Sequence, residues 1–296
     1  MINKTVLMES IRTGLAEASG NATGLEWVRD LSGGDINRAA LVRSGDTNLF
    51  LKYRTGTPPG MFATEARALA EISASGRIRV PDAIAWGDDG TTAWLVLEYI
   101  ELTANGPPAL LGEQLAALHE LTKDRFGWSM DNYIGTTPQR NRRSDDWTEF
   151  WRQCRLEPQL EMARAAGFGG RLIDRGERLL DCLDELMQDH QPAASLLHGD
   201  LWAGNKAYTP AGQPVIFDPA SYYGDRETDI AMTELFGGFE PAFYSAYQAY
   251  SPLPVGYPVR RELYKLYHML NHLNLFGAAY LSRCESMLDA LLAQVE

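Results

Sequence analysis

The sequence predicts an α+β fold of two lobes, with a small antiparallel-sheet N-terminal lobe and a mainly helical C-terminal lobe. Strand-like segments joined by glycine-containing turns are concentrated in the first hundred residues, and helical spacing predominates from Leu110 onward. With 296 residues, 45% of them hydrophobic, the chain is long enough for two such lobes. We expect the first lobe over residues 1–100 and the second over residues 101–296.

The N-terminal lobe begins with helical spacing over residues 5–18, and three strand-like segments follow at 25–31, 39–43 and 48–53. Between the first two strands lies a loop that contains Gly33 and Gly34, and residues 44–46 form the next turn. Residues 62–69 have helical spacing. The apolar strand at 93–100 would end the lobe as a hinge strand.

The C-terminal lobe is predicted to be built from helices separated by one long loop. The loop covers residues 124–146 and is rich in Asn, Asp, Gly, Pro and Arg, a composition typical of surface loops that contribute to binding sites. The candidate helices cover residues 110–121, 147–165, 172–190, 226–236, 241–250 and 260–292.

The chemistry is concentrated in residues 196–205, Leu-Leu-His-Gly-Asp-Leu-Trp-Ala-Gly-Asn, followed by Val-Ile-Phe-Asp-Pro at 215–219. Transfer of a phosphoryl group needs a carboxylate that orients the attacking hydroxyl and oxygen ligands that hold Mg²⁺. Asp200 would be that catalytic carboxylate, and Asn205 and Asp218 would be the metal ligands. Protein kinases place an Asp and an Asn five positions apart and a metal-binding Asp after the next strand. Each residue alone is an ordinary turn former, but the three together predict phosphoryl transfer.

Further residues are candidates for binding the nucleotide. Lys52 on a strand and Glu65 on the next helix have the order of the ion pair that positions phosphates in kinases. The loop with Gly33 and Gly34 can lie over phosphates, although the full G-x-G-x-x-G pattern is absent and the loop alone favours a plain hairpin. Adenine would be bound by main-chain groups of the hinge, at Glu98, Tyr99 and Ile100.

Two residues of the catalytic segment are candidates for substrate contact. Trp202 would offer an aromatic wall to the apolar face of a sugar, although packing of the loop is an alternative role. His198 is the second candidate.

Other chemistries have little support. His268 and His272 are four apart on a helix, as in zinc proteases, but Met269 stands where the general-base Glu is needed, so we expect both imidazoles to pack against tyrosines. No G-x-S-x-G nucleophile elbow occurs.

Composition restricts partners and location. The formal charge of −12 argues against nucleic acid and anionic membranes as partners. Neither a spanning apolar run nor a signal-peptide core occurs, and three widely spaced cysteines indicate no disulfide framework. We therefore expect a cytoplasmic protein.

Most of the chain resembles the fructosamine kinase (ketosamine kinase) family, which shares the protein-kinase-like fold with aminoglycoside and choline phosphotransferases. The combination of Asp-Leu-Trp at 200–202 with Gly-Asp-Arg-Glu at 224–227 distinguishes it from more general relatives. The segments that carry the resemblance are 132–139, 146–147, 198–205, 217–220, 223–232, 235–239 and 266–277.

The resemblance implies ATP-dependent phosphorylation of a sugar hydroxyl on ketosamines, the adducts formed when sugars glycate amines, which makes the adduct labile and permits deglycation. ATP and Mg²⁺ would be the cofactors, and the partner would be a small-molecule or protein-bound ketosamine. Asp229 would brace the catalytic loop. The redox-sensitive cysteine of some relatives is missing from residues 32–37, so regulation by that thiol is not expected.

Two other classes stay open on the sequence alone. One is a phosphotransferase that acts on an aminoglycoside or another hydroxylated amine. The other is a catalytically silent protein on the same scaffold, which the complete set of metal ligands disfavours. The oligomeric state is open, with a monomer favoured.

Overall fold

The structure is a computed structural model that describes residues 2–20, 24–31 and 36–295. The chain divides into two compact units. Unit 1 comprises Met1–Gly106 and Ala207–Asp218, and unit 2 comprises Pro107–Lys206 and Pro219–Glu296.

Strands occur in both units. In chain order they are β1 Leu25–Leu31, β2 Arg38–Ser44, β3 Thr47–Thr55, β4 Ala83–Asp88, β5 Thr92–Glu98, β6 Thr122–Lys123, β7 Asn132–Ile134, β8 Thr137–Gln139, β9 Ala194–Leu196, β10 Lys206–Tyr208, β11 Pro214–Ile216 and β12 Tyr223–Gly224.

Both units also contain α-helices, most of them in unit 2. In chain order they are α1 Lys4–Ser19, α2 Met61–Ser75, α3 Pro108–His119, α4 Trp147–Trp151, α5 Glu157–Ala165, α6 Arg171–Asp181, α7 Leu183–Leu186, α8 Glu227–Leu235, α9 Pro241–Tyr250, α10 Tyr257–Phe276 and α11 Leu281–Leu292.

Unit 1 is built on an antiparallel sheet in the order β1-β2-β3-β5-β4. Helix α1 begins after Asn3, whose side chain accepts hydrogen bonds from the amides of Thr5 and Val6, and it ends at Gly20 in the left-handed conformation. The apolar face of α1 packs on the sheet. The buried core of this unit comprises Leu7, Ile11, Leu15, Leu25, Ala40, Val42, Leu49, Leu51, Tyr53, Ala85, Trp94 and Val96.

The division into units differs from the predicted division after residue 100. The segment Ala207–Asp218 belongs to unit 1 because main-chain hydrogen bonds tie it there. Thr103 and Tyr208 exchange N–H···O bonds of 2.8 and 3.0 Å, and the amide of Ile216 donates to the carbonyl of Arg79 at 3.0 Å. These pairings join residues more than a hundred positions apart, so local sequence patterns do not reveal them.

Unit 2 is mainly helical, as predicted, but three predicted helices are interrupted. The helix expected over 147–165 contains a π-helical stretch, Arg152–Leu156, between α4 and α5. The one expected over 172–190 is divided into α6 and α7 at Cys182. The one expected over 260–292 ends at Phe276, because Gly277 adopts a φ of 87° before a short 3₁₀ turn.

The predicted long loop at 124–146 contains the short β7–β8 hairpin. Within the described ranges, no helix is long and apolar enough to cross a bilayer.

Candidate active site

Lys52 is held between two carboxylates in unit 1. It lies on β3, where it pairs with Ala39 of β2 and Leu95 of β5. Its Nζ donates to Oε1 of Glu65 at 2.6 Å and to Oδ1 of Asp218 at 2.9 Å. The structure thus brings together three residues that the sequence predicted for nucleotide and metal binding.

Burial affects the pKa values of Lys52 and Glu65, whereas the Asp218 side chain is partly exposed to solvent. Burial alone would lower the pKa of Lys52, but Asp218 and Glu65 together raise it above its ordinary value, so the ammonium stays charged. Burial raises the pKa of Glu65 to about 7, against the opposing effect of Lys52. The Asp218 side chain is 44% exposed, compared with 6% for Lys52. The Asp218 carboxylate is therefore accessible to a ligand.

Asp218 also has an unusual backbone conformation. Its φ of 59° lies in the left-handed region, which costs about 1–2 kcal/mol for a residue with a Cβ atom and is tolerated best by Asn and Asp. Such conformations cluster at functional positions, where the surrounding structure enforces them.

In unit 2, the loop of residues 198–205 is anchored at its start by Asp229 of α8. Oδ2 of Asp229 accepts the amide of His198 at 2.7 Å, and Oδ1 accepts the amide of Gly199 at 2.8 Å. Burial alone would raise the pKa of Asp229, but His119 and the amide of Gly199 bring it below its ordinary value. The anchor is therefore an anion, and its contacts are those of the bracing role that the family resemblance implies.

His119 and Tyr247 extend this anchor. Nε2 of His119 lies 3.1 Å from Oδ2 of Asp229, and its Nδ1 lies 2.8 Å from the hydroxyl of Tyr247. Sequence reasoning missed both residues. Each lies on a helix far from the loop in the chain, so neither carries a local signal.

Gly199 is required by the shape of the loop. Its φ is 84°, and a Cβ atom there would lie 2.2 Å from the carbonyl oxygen of Ala220. Only glycine avoids both the strain and the collision.

Asn205 closes the other end of the loop. Its Nδ2 donates to the main-chain oxygen of Asp200 at 2.9 Å and lies 3.5 Å from Oδ2 of Asp200. The amide of Asn205 donates to the carbonyl of Trp202 at 2.9 Å. Because Nδ2 is directed at Asp200, Oδ1 is the atom of this side chain that suits a cation.

The two predicted substrate contacts have different surroundings. His198 is completely buried, and its Nδ1 accepts the amide of Asp200 at 3.2 Å, which places the imidazole inside the loop. Trp202 is partly exposed. Its ring packs over Gly204 and meets Phe236 edge-on, with 6.2 Å between the ring centroids.

The remaining predicted nucleotide-binding residues belong to the first part of the chain. Gly33 and Gly34 lie outside the described residues. Glu98 ends β5; its side chain bonds to Arg79 and its amide donates to the carbonyl of Asp82 at 2.9 Å. Tyr99 and Ile100 follow it and are partly exposed.

The chain is similar to known proteins over nearly its whole length. The sequence profile named fructosamine kinase matches residues 7–294. The chain belongs to the fructosamine kinase family. Its relatives in the family include a protein assigned as a ketoamine kinase from Synechocystis sp., 40% identical over 294 residues, which cover 98% of this chain and 99% of the relative. Another is the chloroplastic protein-ribulosamine 3-kinase of Arabidopsis thaliana, 38% identical, with 94% and 86% covered.

Solved structures of similar fold support the assignment of the chain to this family. A crystal structure assigned as a fructosamine-3-kinase from Haemophilus somnus has a TM-score of 0.87 and 29% identity, over 96% of this chain and 97% of that one. A thermostable mutant of an aminoglycoside phosphotransferase has a TM-score of 0.60 and 16% identity, over 96% of this chain and 98% of that one, which shows a common fold alone. The predicted α+β, kinase-like fold and the predicted family are confirmed, and the protein is an ATP-dependent phosphotransferase.

The Gly-Asp-Arg-Glu segment that supports the family resemblance forms a buried charge network. Both oxygens of Glu227 accept hydrogen bonds from Arg260, at 2.8 and 2.7 Å. Oδ2 of Asp225 accepts from the hydroxyl of Tyr264 at 2.6 Å and lies 2.6 Å from Nε2 of His190. His190, Asp225 and Glu227 are close enough together to hold a metal ion. Their ligand atoms are already engaged within the network, so we assign it a structural role.

Arg260→Met should lower the free energy of unfolding by about 3–5 kcal/mol, because it leaves the buried Glu227 without its partner. Urea unfolding followed by circular dichroism measures the change. The control is Arg164→Met, whose partner Glu177 is 60% exposed and whose loss should have almost no effect. Equal stability of the two variants would contradict the assignment.

His268 should make stability depend on acid pH. Its imidazole is buried and its Nδ1 has no hydrogen-bond partner among the described residues. Burial, with a smaller effect of His272, lowers the pKa of His268 to about 3. This pKa lies below the value of about 6.5 in the unfolded chain, so the unfolded chain takes up the proton first as the pH falls. The contribution of the neutral imidazole to the free energy of unfolding is therefore complete above about pH 6.5 and is lost as the pH falls towards 3. The total loss is up to about 5 kcal/mol.

The measurement is urea unfolding of the unaltered protein and His268→Phe between pH 8 and 4.5. The two stability curves should run parallel above pH 7. At pH 4.5 the unaltered protein should have lost about 3 kcal/mol more than the variant. Identical acid dependence would show that this imidazole is not the group responsible.

Proposed function

We propose that the protein uses ATP to phosphorylate a sugar hydroxyl of ketosamines, fructosamine or ribulosamine adducts, and thereby promotes deglycation. The observation that carries this proposal is the family match over residues 7–294. Relatives over most of the chain are named as ketoamine kinase and protein-ribulosamine 3-kinase.

Asp200 is the proposed catalytic residue, which orients or deprotonates the acceptor hydroxyl. Its loop is braced at one end by Asp229 and closed at the other by Asn205. In-line transfer needs a positioned hydroxyl and neutralised charge, so no covalent phosphoenzyme is required.

Asn205 and Asp218 are the proposed ligands of Mg²⁺. Carboxylate and amide oxygens suit this hard cation, and the Asp218 carboxylate already has the ammonium of Lys52 at 2.9 Å. When bound, Mg²⁺ supplies neutralisation of charge on the phosphates. Lys52, oriented by Glu65, is proposed to bind the phosphates directly.

The adenine site is proposed at the end of β5. The amide of Glu98 is already engaged with Asp82, so the proposal rests chiefly on the main-chain groups of Tyr99 and Ile100. The loop containing Gly33 and Gly34 remains a prediction for the phosphates.

On the acceptor side, the exposed part of the Trp202 ring is proposed to contact the sugar, since an aromatic face suits the apolar face of a carbohydrate. His198 is proposed to support the loop rather than to touch the substrate, because it is completely buried. The net charge of −12 suits a cationic amine as acceptor.

Phosphorus NMR of the protein with Mg-ATP tests the acceptor. The panel contains fructosamines, ribulosamines and aminoglycosides. A new phosphate-ester resonance is expected with a ketosamine, and its carbon coupling identifies the phosphorylated position. A product formed with aminoglycosides alone would overturn the proposal. Thermal stabilisation by Mg-ATP without any product would instead favour a silent scaffold.

We also propose a cytoplasmic location. Cys154, Cys182 and Cys284 are free thiols, as is usual in a reducing compartment.

A further inference from the structure

The segment Asn132–Gln139 supports the family resemblance but has no part in the proposed chemistry. It forms the β7–β8 hairpin, in which Asn132 is paired with Gln139. Both residues are buried: Asn132 is 3% exposed and Gln139 is 1% exposed. Two buried amides at the open end of one hairpin must find polar partners.

Those partners are consecutive main-chain carbonyls. Nε2 of Gln139 donates to the carbonyl of Ala220 at 3.0 Å and to Oδ1 of Asn132 at 2.9 Å. Nδ2 of Asn132 donates to the carbonyl of Ser221 at 2.8 Å. Oε1 of Gln139 accepts the hydroxyl of Tyr267 at 2.7 Å. The hairpin therefore fixes the backbone at residues 220–221 through two side-chain amides.

The same stretch lies against the start of the catalytic loop. The amide of Ala220 donates to the carbonyl of His198 at 2.9 Å, and the amide of Leu197 donates to the carbonyl of Tyr222 at 3.0 Å. The carbonyl oxygen of Ala220 is also the atom that leaves no room for a Cβ on Gly199. A shift of Ala220 would therefore be transmitted to the residues directly before Asp200.

Arg155 supports the hairpin from behind. It is completely buried, its guanidinium lies 3.9 Å from the ring centroid of Tyr222, and it donates to Oδ1 of Asn141 at 2.9 Å. Nδ2 of Asn141 donates to Oδ1 of Asn132 at 2.7 Å. In the described part of the chain, Arg155 has no carboxylate partner, so its burial relies on aromatic faces and amide and carbonyl oxygens. The amide network is thus continuous from Arg155 to Ala220.

We propose that Gln139 and Asn132 are positioning residues for phosphoryl transfer, which act through the carbonyls of Ala220 and Ser221 to fix the turn that carries Asp200. This inference rests on the proposed catalytic role of Asp200. Small displacements of a catalytic group reduce turnover without reducing nucleotide affinity, because they affect only the reacting geometry.

The test variant is Gln139→Met, which keeps the length of the side chain and removes its donor and acceptor. We expect kcat for the ketosamine to fall about 10- to 100-fold, while KM for ATP changes less than about twofold. Tyr267→Phe removes one hydroxyl from the same network and should fold even if Gln139→Met does not. Its kcat should fall about threefold to tenfold.

Thr233→Val is the matched control. It also removes a buried polar group in unit 2, one whose hydroxyl donates to the carbonyl of Ile230 at 2.7 Å and to the hydroxyl of Tyr244 at 3.2 Å. Its kcat should be unchanged. If it lowers kcat as much as Gln139→Met at equal loss of stability, the effect is a general consequence of destabilisation and the proposal is overturned.

Amide hydrogen exchange separates this proposal from the proposed function, because it needs no substrate. Peptides that cover residues 197–200 should exchange faster in Gln139→Met than in the unaltered protein or Thr233→Val. Unchanged exchange, or kcat within twofold of the unaltered protein, would overturn the positioning role. Absence of any phosphorylated ketosamine from the unaltered protein would overturn the proposed function instead.

Discussion

Asp200→Ala is expected to lower kcat by about 10²–10⁴-fold, the range that a positioned general base contributes, with the Kd for Mg-ATP nearly unchanged. The carboxylate is proposed to act on the acceptor hydroxyl. Its loss should therefore remove the chemical step and spare nucleotide binding. Single-turnover transfer measured by rapid quench, together with calorimetric titration of Mg-ATP, separates these two effects.

Asp174→Ala is the control for this experiment. Asp174 is an exposed carboxylate on α6, so both rate and affinity should stay at their original values. Single-turnover transfer by Asp200→Ala at nearly the original rate would refute the role of Asp200. Loss of nucleotide affinity would instead place Asp200 among the nucleotide-binding groups.

Lys52→Met is expected to lower kcat/KM for ATP about 10- to 150-fold. This range corresponds to about 1.5–3 kcal/mol for a hydrogen bond to a charged group. The substitution also leaves Glu65 and Asp218 without their shared cation. Because burial already raises the pKa of Glu65 to about 7, this carboxyl can take up a proton, which limits the loss of stability. Steady-state kinetics with ATP varied measures the effect.

Lys265→Met provides a close match on α10 in unit 2. The Lys265 side chain is 12% exposed, and its Nζ contacts Glu234 at 3.1 Å and Glu262 at 3.4 Å. Lys265→Met therefore also removes a largely buried lysine that contacts two carboxylates. Lys265 has no proposed role in nucleotide binding. A similar fall in kcat/KM for both variants would show that the effect of Lys52 is not specific to the phosphates.

Local patterns in the sequence predicted much of the fold and part of the site. Lys52 and Glu65 were expected to pair because a strand lysine followed by a helix glutamate is the order of the kinase ion pair. In the structure, Nζ of Lys52 lies 2.6 Å from Oε1 of Glu65. Helix α9 has the predicted bounds, because its start at Pro241 follows the general preference for proline in the first turn.

Other features depend on contacts between distant residues. Asp229 holds the backbone amide of His198 from a helix about thirty positions later in the chain. Residues 207–218 are tied to unit 1 by main-chain hydrogen bonds with Arg79 and Thr103. Neither relation leaves a periodic signal. The hairpin with Gln139 could be noticed in the sequence as a motif, but the two carbonyls that its amides bind belong to residues 81 and 89 positions later. The roles of the site residues themselves remain predictions.

The tie between residues 207–218 and unit 1 has a practical consequence for dissecting the molecule. A fragment ending at Gly106 would lack Tyr208, which exchanges main-chain hydrogen bonds with Thr103, and the amide of Ile216, which binds the carbonyl of Arg79. It would also lack Asp218, one of the two acidic partners of Lys52. No single cleavage of the polypeptide can therefore release unit 1 whole. An isolated unit 1 would need residues 207–218 joined by a linker to residues 1–106.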